Sequence, residues 1–119
     1  NFTEHAMTAL DFLVAVATKN GQQIDLHFGH ADAFAIYHVS GGSVAFHENR
    51  AVEHYCQGGY GDDDKREAIL RALADCRAVF LARVGDGPAR RLREAGIEPV
   101  TAFPYGEPVE SIANWLSSQ

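Results

Sequence analysis

The chain is poor in positive charge and in cysteine. Its ten lysines and arginines stand against sixteen aspartates and glutamates, which gives a formal net charge of -6. This balance disfavours nucleic-acid binding, because affinity for phosphates depends on a basic surface that releases counterions. The two cysteines, Cys56 and Cys76, come without a secretory signal, and this context favours two reduced thiols over a disulfide.

Long apolar runs and catalytic signatures are also missing. No stretch approaches the roughly 18 consecutive apolar residues that span a bilayer, so we expect a cytoplasmic protein. The sequence contains no Gly-x-Ser-x-Gly, Cys-x-x-Cys, His-Glu-x-x-His or dinucleotide-binding glycine pattern. These absences favour a domain that holds a ligand over an enzyme that converts one.

The composition that remains is typical of one globular domain. With 119 residues, 46% of them hydrophobic, the chain can bury about two thirds of the surface that it exposes when unfolded. We expect residues 1–9 to be a tail or an added leader and residues 10–119 to form a single domain.

The hydrophobic pattern predicts alternating strands and helices. The continuous apolar runs at 12–18 and 78–84 are typical of buried strands, and residues 33–40 and 43–49 flank Gly41-Gly42 as in a two-residue hairpin. A short strand is predicted within "IEPVTAF". Helices are predicted in "DDDKREAILRALADC", where Cys76 extends the apolar stripe, from Pro88 to Gly96, and from Pro108 onward.

This order predicts an α/β fold in which helices cover a mixed sheet with a parallel part. Ligands of such sheets bind at the loops beyond the carboxyl ends of the parallel strands. The loops that follow the strands at 12–18 and 78–84 are therefore the first places to look for a site.

Four loop residues have the chemistry of metal ligands. His27 and His30 flank Phe28-Gly29 in "DLHFGHADAF", and His54 and Cys56 lie in "HYCQGGYG". Imidazole and thiolate both bind iron, zinc and iron–sulfur centres. Spacing alone leaves open that the histidines are solvated or capping residues and that the cysteine is a small buried side chain. The glycine after Phe28 allows either a positive φ or a close approach of the backbone to a ligand.

Several stretches resemble one known family. "VAVATKNGQQIDLHFGHADAFAIYHV", "YCQGGYG", "LADCRAVFLARVGDGP" and "LREAGIEPV" resemble the dinitrogenase iron-molybdenum cofactor binding family, which includes NifX, NafY and the carboxy-terminal domain of NifB. "HYCQGGYG" is most similar to the NifB domain. The resemblance implies a ribonuclease H-like fold, with a mixed five-stranded sheet between two layers of helices.

The resemblance also implies a function and a site. It implies that the domain binds or carries the iron-molybdenum cofactor or an iron–sulfur precursor in nitrogenase cofactor biosynthesis, without catalysing a reaction. Its partners would be cofactor biosynthesis proteins or apo-dinitrogenase. The implied metal ligands are His27 and Cys56, and the wider cofactor-binding set adds Phe28, Gly29, His30 and His54. The chain departs from the NifB pattern at Gly87, where a cysteine is expected, so a second thiolate there is in doubt.

Two other functions stay open. A regulatory or protein-interaction domain could use the same fold without a cluster. A small zinc hydrolase could use His27, His30 and Cys56, with Asp25 or Asp32 as general base, and is the least favoured. An anionic cluster would need nearby positive charge, for which Lys19, Arg50 and Arg83 are the candidates.

Overall fold

The computed structural model describes residues 11–52 and 62–118, of which His30 and residues 62–65 by their backbone alone. Its elements follow the predicted order of strand, hairpin, helix, strand, helix, strand and helix. They are β1 (Phe12–Val16), the 3-10 turn η1 (Phe28–His30), β2 (Ala33–Ser40), β3 (Ser43–Ala51), α1 (Asp62–Ala72), β4 (Cys76–Phe80), α2 (Asp86–Glu94), β5 (Glu98–Val100) and α3 (Pro108–Ser117).

The five strands form one mixed sheet in the order β3-β2-β1-β4-β5. The hairpin strand β2 is antiparallel to both β1 and β3, whereas β4 is parallel to both β1 and β5. This arrangement confirms the predicted mixed α/β sheet. The carboxyl ends of β1, β4 and β5 therefore meet at one edge of the sheet, which we call the carboxyl edge.

Helices cover both faces of the sheet. Along β1, Ala15 faces a core that contains residues of α1 and α2, whereas Val14 and Val16 face a core that contains Ile112 and Trp115 of α3. Burying a large aliphatic side chain in such a core contributes about 1.5–3 kcal/mol. The structure thus has the expected three layers, while the ribonuclease H-like label stays a prediction.

The hairpin between β2 and β3 is the predicted one. Ser40 pairs with Ser43, and the two residues between them, Gly41 and Gly42, have φ values of 60° and 88°. A type I′ turn requires positive φ at both central positions, which glycine adopts without steric cost.

The boundaries of β4 and α1 differ from the prediction. The strand expected at 78–84 begins at Cys76 and ends at Phe80, so Cys76 lies on β4 and not on the preceding helix. The helix ends at Ala72, whose carbonyl oxygen accepts a 2.8 Å hydrogen bond from the Arg50 guanidinium. Because Arg50 also pairs with Asp75 at 2.7 Å, it ends the helix and holds the turn into β4.

Cys76 is a core residue of this strand. Its side chain is 4% exposed, and it is a free thiol. Burial, reinforced by the negative charge of Asp75, raises the pKa of the Cys76 thiol to about 12. The buried structural role predicted for this cysteine is therefore confirmed, although it is filled from a strand.

We expect the folded protein to protect Cys76 from alkylation. At about pH 8 the thiol stays protonated, and only the thiolate reacts at a useful rate. Iodoacetamide should modify the peptide containing Cys76 only after urea unfolding, as measured by mass spectrometry. In the control variant Ser117→Cys, the new cysteine is exposed on α3 and should be modified in the folded state. Equal native labelling of the two positions would contradict the burial of Cys76.

Candidate functional site

A short segment crosses the carboxyl edge between the two cores. We call residues 24–28 the crossing segment. It begins at Ile24, which is fully buried in the α3-side core, and ends at Phe28, which is 3% exposed in the core beneath α1 and α2. The segment therefore has an apolar anchor on each face of the sheet.

Backbone hydrogen bonds fix the middle of the crossing segment to the strand ends. The N–H of Leu26 donates to the carbonyl of Ala17 at 3.2 Å, and the carbonyl of Leu26 accepts from the N–H of Ala82 at 3.0 Å. The N–H of Phe28 donates to the carbonyl of Arg83 at 3.1 Å. Leu26 thus lies between the residues that follow β1 and β4 and is hydrogen-bonded to both, so it extends the sheet at this edge.

These bonds place His27 at the carboxyl edge. Its backbone forms a parallel bridge with Arg83, and its side chain is partly buried. Phe28, the next residue, packs into the core and prevents the turn from lifting away. His27 therefore lies where the loops after β1 and β4 meet, while its role as a ligand stays a prediction.

Gly29 is exposed at the tip of the turn. Its φ is not positive, so the first of the two predicted reasons for this glycine is wrong. A Cβ built at Gly29 would meet no atom within 4 Å. The fold itself therefore does not require a glycine here, and the second reason, close approach of the backbone to a ligand, stays a prediction.

Two predicted ligands, His54 and Cys56, lie outside the described residues, as does the side chain of His30. The chain does leave β3 beside the histidine turn, because the N–H of Val52 donates to the carbonyl of Asp32 at 2.8 Å. Helix α1, which follows later in the chain, contacts η1. Within 11–52 and 62–118, no three His, Cys, Asp or Glu side chains gather in a way that could hold a metal ion.

Of the three positive side chains considered for an anionic ligand, one stabilises the fold and two are exposed. Arg50 pairs with Glu48 and Asp75, and these hydrogen bonds raise the pKa of its guanidinium. The expectation that Arg50 serves an anionic ligand is therefore wrong, because its charge is already compensated. Arg83 and Lys19 are exposed after β4 and β1, which leaves them accessible at this edge.

Sequence reasoning missed a strained residue beside the crossing segment. Tyr105 has a φ of 65°, and its side chain is 60% exposed. It follows Pro104 in a turn closed by a 3.1 Å hydrogen bond from the N–H of Gly106 to the carbonyl of Phe103. The Pro-Tyr-Gly sequence was the available signal, since proline favours this type of turn.

Two hydrogen bonds tie this turn to the crossing segment. The N–H of Tyr105 donates to the carbonyl of Ile24 at 2.8 Å, and the N–H of Ile24 donates to the carbonyl of Gly106 at 2.9 Å. A non-glycine residue with left-handed backbone costs about 1–2 kcal/mol, which surrounding structure must offset. The pairing with Ile24 holds Tyr105 in this conformation.

Comparison with known sequences defines the class of this protein. The sequence profile of the dinitrogenase iron-molybdenum cofactor family matches residues 11–118, so the chain belongs to that family. Among its relatives, the FeMo cofactor biosynthesis protein NifB of Bradyrhizobium diazoefficiens is 46% identical over 110 residues, covering 92% of this chain and 22% of the relative. NifB of Herbaspirillum seropedicae is 45% identical over 98 residues, which cover 82% of this chain and 19% of the relative. The chain thus spans about a fifth of the length of these relatives.

Solved structures support the same fold. PH0822 superposes with a TM-score of 0.64 at 18% identity, covering 91% of this chain and 93% of its own. The protein mj0327 of Methanocaldococcus jannaschii superposes with a TM-score of 0.58 at 10% identity. The superposition covers 92% of this chain and 91% of mj0327. At these identities the likeness concerns the fold alone. No helix in the described ranges is long and apolar enough to cross a membrane.

Two glycine substitutions test the geometry of this edge. Gly29→Ala should change the free energy of unfolding by no more than about 0.5 kcal/mol, because the added methyl group meets open space. Gly106→Ala should lower it by about 1–3 kcal/mol, because a Cβ there would lie 2.5 Å from the Ser111 hydroxyl and 3.2 Å from the Phe103 carbonyl oxygen. Urea unfolding measures both. A large loss in Gly29→Ala would show that the turn packs more tightly than described.

A further substitution tests the strain at Tyr105. Asparagine tolerates left-handed backbone better than tyrosine does, so Tyr105→Asn should raise the free energy of unfolding by about 0.5–1 kcal/mol. Tyr105→Ala is the control, because it removes the ring but keeps a residue that is strained at this φ, and it should bring no gain. If Tyr105→Asn is less stable than the parent, the ring contributes packing that its exposure does not suggest.

Proposed function

We propose that the domain binds an iron–sulfur cluster, either the iron-molybdenum cofactor or a precursor of it, as cargo in nitrogenase cofactor biosynthesis. The cluster would lie at the carboxyl edge, next to His27. The observation that carries the proposal is the position of His27 at the ends of β1 and β4 in a chain that belongs to the dinitrogenase iron-molybdenum cofactor family. The relatives that are FeMo cofactor biosynthesis proteins support the same assignment.

The geometry of the turn suits a ligand that must be released again. The backbone of His27 is fixed by the bridge to Arg83, so an imidazole at this position needs little ordering before it binds. Few protein ligands are enough for a cluster that is later handed over. We propose His27 as one metal ligand and Cys56 as the other, with His30 and His54 as the alternatives that the same turn and the "HYCQGG" segment offer.

Charge and backbone at this edge support an anionic cargo. Arg83 is exposed there, next to the backbone of His27, and it forms no salt bridge with another residue in the described ranges. The open space at Gly29 allows a bulky ligand to approach the backbone closely. A positive charge thus lies at this edge although the formal net charge of the whole chain is -6.

The domain would supply binding and not catalysis. It spans about a fifth of the length of the NifB relatives, so it corresponds to one part of those proteins. Within that reading, its partners are cofactor biosynthesis proteins or apo-dinitrogenase, and its location is the cytoplasm.

Anaerobic reconstitution tests the proposal. The purified chain is incubated with iron, sulfide and reductant, desalted, and examined for iron and sulfide content and for charge-transfer absorption in the visible range. We expect His27→Ala to weaken cluster retention by roughly 10- to 100-fold, a loss on the scale seen when the support of a metal ligand is removed. The melting temperature should change little, because the His27 side chain is only partly buried.

One control variant and one further test variant complete this experiment. His47→Ala removes an exposed imidazole from β3, away from the carboxyl-edge turn, and should retain the cluster like the parent. Gly29→Ala should fold normally but hinder a ligand that approaches the backbone. Equal retention by the parent, His27→Ala and Gly29→Ala would refute the proposed site. A parent that takes up no cluster would favour the protein-interaction alternative.

A further inference from the structure

A cavity lies on the α3 side of the sheet. Its volume is about 540 Å³, and the loop after β1, the first half of β2, strand β3 and the first turn of α3 form its walls. This volume is within the range of about 300–1,000 Å³ that is typical of small-molecule sites. Phe28 packs in the core on the opposite face, and neither His27 nor Phe28 lines the cavity, so we treat the cavity as distinct from the proposed cluster site.

Exposed apolar side chains are concentrated at this cavity. Phe46 is 56% exposed and Val109 is 38% exposed, and both line it. Tyr105, which is the remaining large apolar side chain exposed in the described ranges, lies four residues before Val109. At the cavity wall, the ring of Phe46 packs edge-to-face on Tyr37, with centroids 5.7 Å apart. A ligand that covered Phe46 would remove unfavourable apolar surface from water.

The cavity carries one charge among the described residues that line it, the ammonium group of Lys19. Lys19 forms no salt bridge with any residue in 11–52 or 62–118. On the adjoining helix, the Glu107 carboxylate accepts hydrogen bonds from the N–H groups of Val109 at 3.2 Å and Glu110 at 2.8 Å. Burial, together with the nearby negative charge of Glu107, raises the pKa of the Tyr37 phenol in the cavity wall, so Lys19 is the group that would favour an anionic ligand. The amide side chain of Asn49 adds a neutral polar group to the wall.

The wall that carries Lys19 is already ordered. The Thr18 hydroxyl accepts a hydrogen bond from the N–H of Gly21 at 2.9 Å, and the Asp25 carboxylate accepts one from the N–H of Lys19 at 3.0 Å. The loop after β1 is thus held by its own side chains. A ligand would bind without first having to order this wall, which favours affinity.

We propose that this cavity binds a small carboxylate with an apolar ring or branched chain, whose carboxylate pairs with Lys19 and whose apolar part packs on Phe46 and Val109. The inference stands apart from cluster binding. It rests on the shape, charge and apolar surface of the α3-side cavity alone.

A titration with phenylacetate tests the assignment, with phenylacetamide as the neutral molecule of the same shape. In amide proton–nitrogen NMR spectra of the whole chain, phenylacetate should shift the signals of Lys19, Ala35 and Phe46. It should bind about two- to fivefold more tightly than phenylacetamide, the span expected for one solvent-exposed ion pair. Added salt should reduce this preference.

Substitutions separate the two parts of the contact. Lys19→Gln should abolish the preference for phenylacetate while leaving phenylacetamide affinity unchanged, and Phe46→Ala should weaken binding of both. Arg93→Gln, a charge loss on α2, is the control and should change neither. The proposal is overturned if phenylacetate shifts no cavity signals at millimolar concentration, or if Lys19→Gln keeps the preference. Neither result would bear on cluster retention, which is measured separately.

Discussion

The candidate site depends on the crossing segment, residues 24–28, which is bonded to the ends of β1 and β4. Leu26 uses both its N–H and its carbonyl in this contact, and Phe28 adds a third backbone hydrogen bond. With Ile24 buried on one face and Phe28 on the other, the segment cannot slide without exposing an apolar side chain. A loop that would otherwise be mobile therefore presents His27 at a defined place on the carboxyl edge.

The crossing segment also divides the edge into two environments. On one side lies the histidine turn, with the exposed Gly29 and Arg83. On the other side, the segment is bonded to the Tyr105 turn and lies near the cavity lined by Phe46 and Lys19. The strain held at Tyr105 is consistent with a surface that is shaped by more than stability alone, because left-handed tyrosine is unfavourable in an exposed turn.

The positive side chains also differ in what they do. Arg50 lies on β3, where its guanidinium binds the carbonyl that ends α1 and pairs with Glu48 and Asp75. The hydrogen bond from Arg50 lowers the pKa of the Asp75 carboxyl below its usual value, which favours the charged form of the pair. Among the described residues, Arg83 after β4 and Lys19 after β1 are exposed near the carboxyl edge.

Local patterns in the sequence determined most of the fold. The apolar run at β1, the Gly41-Gly42 turn and the proline at the start of α3 act through nearest neighbours, so their consequences could be predicted. Only the location of the site could be predicted. The end of β1 indicates the edge of the sheet where ligands bind, and the sequence places two histidines just beyond it. Tertiary structure decided what those residues do. It turned Phe28 into the core, committed Arg50 to a helix end and moved Cys76 onto a strand. It also brought Lys19, Phe46 and Val109 around one cavity, because contacts between residues far apart in the chain leave no periodic signal.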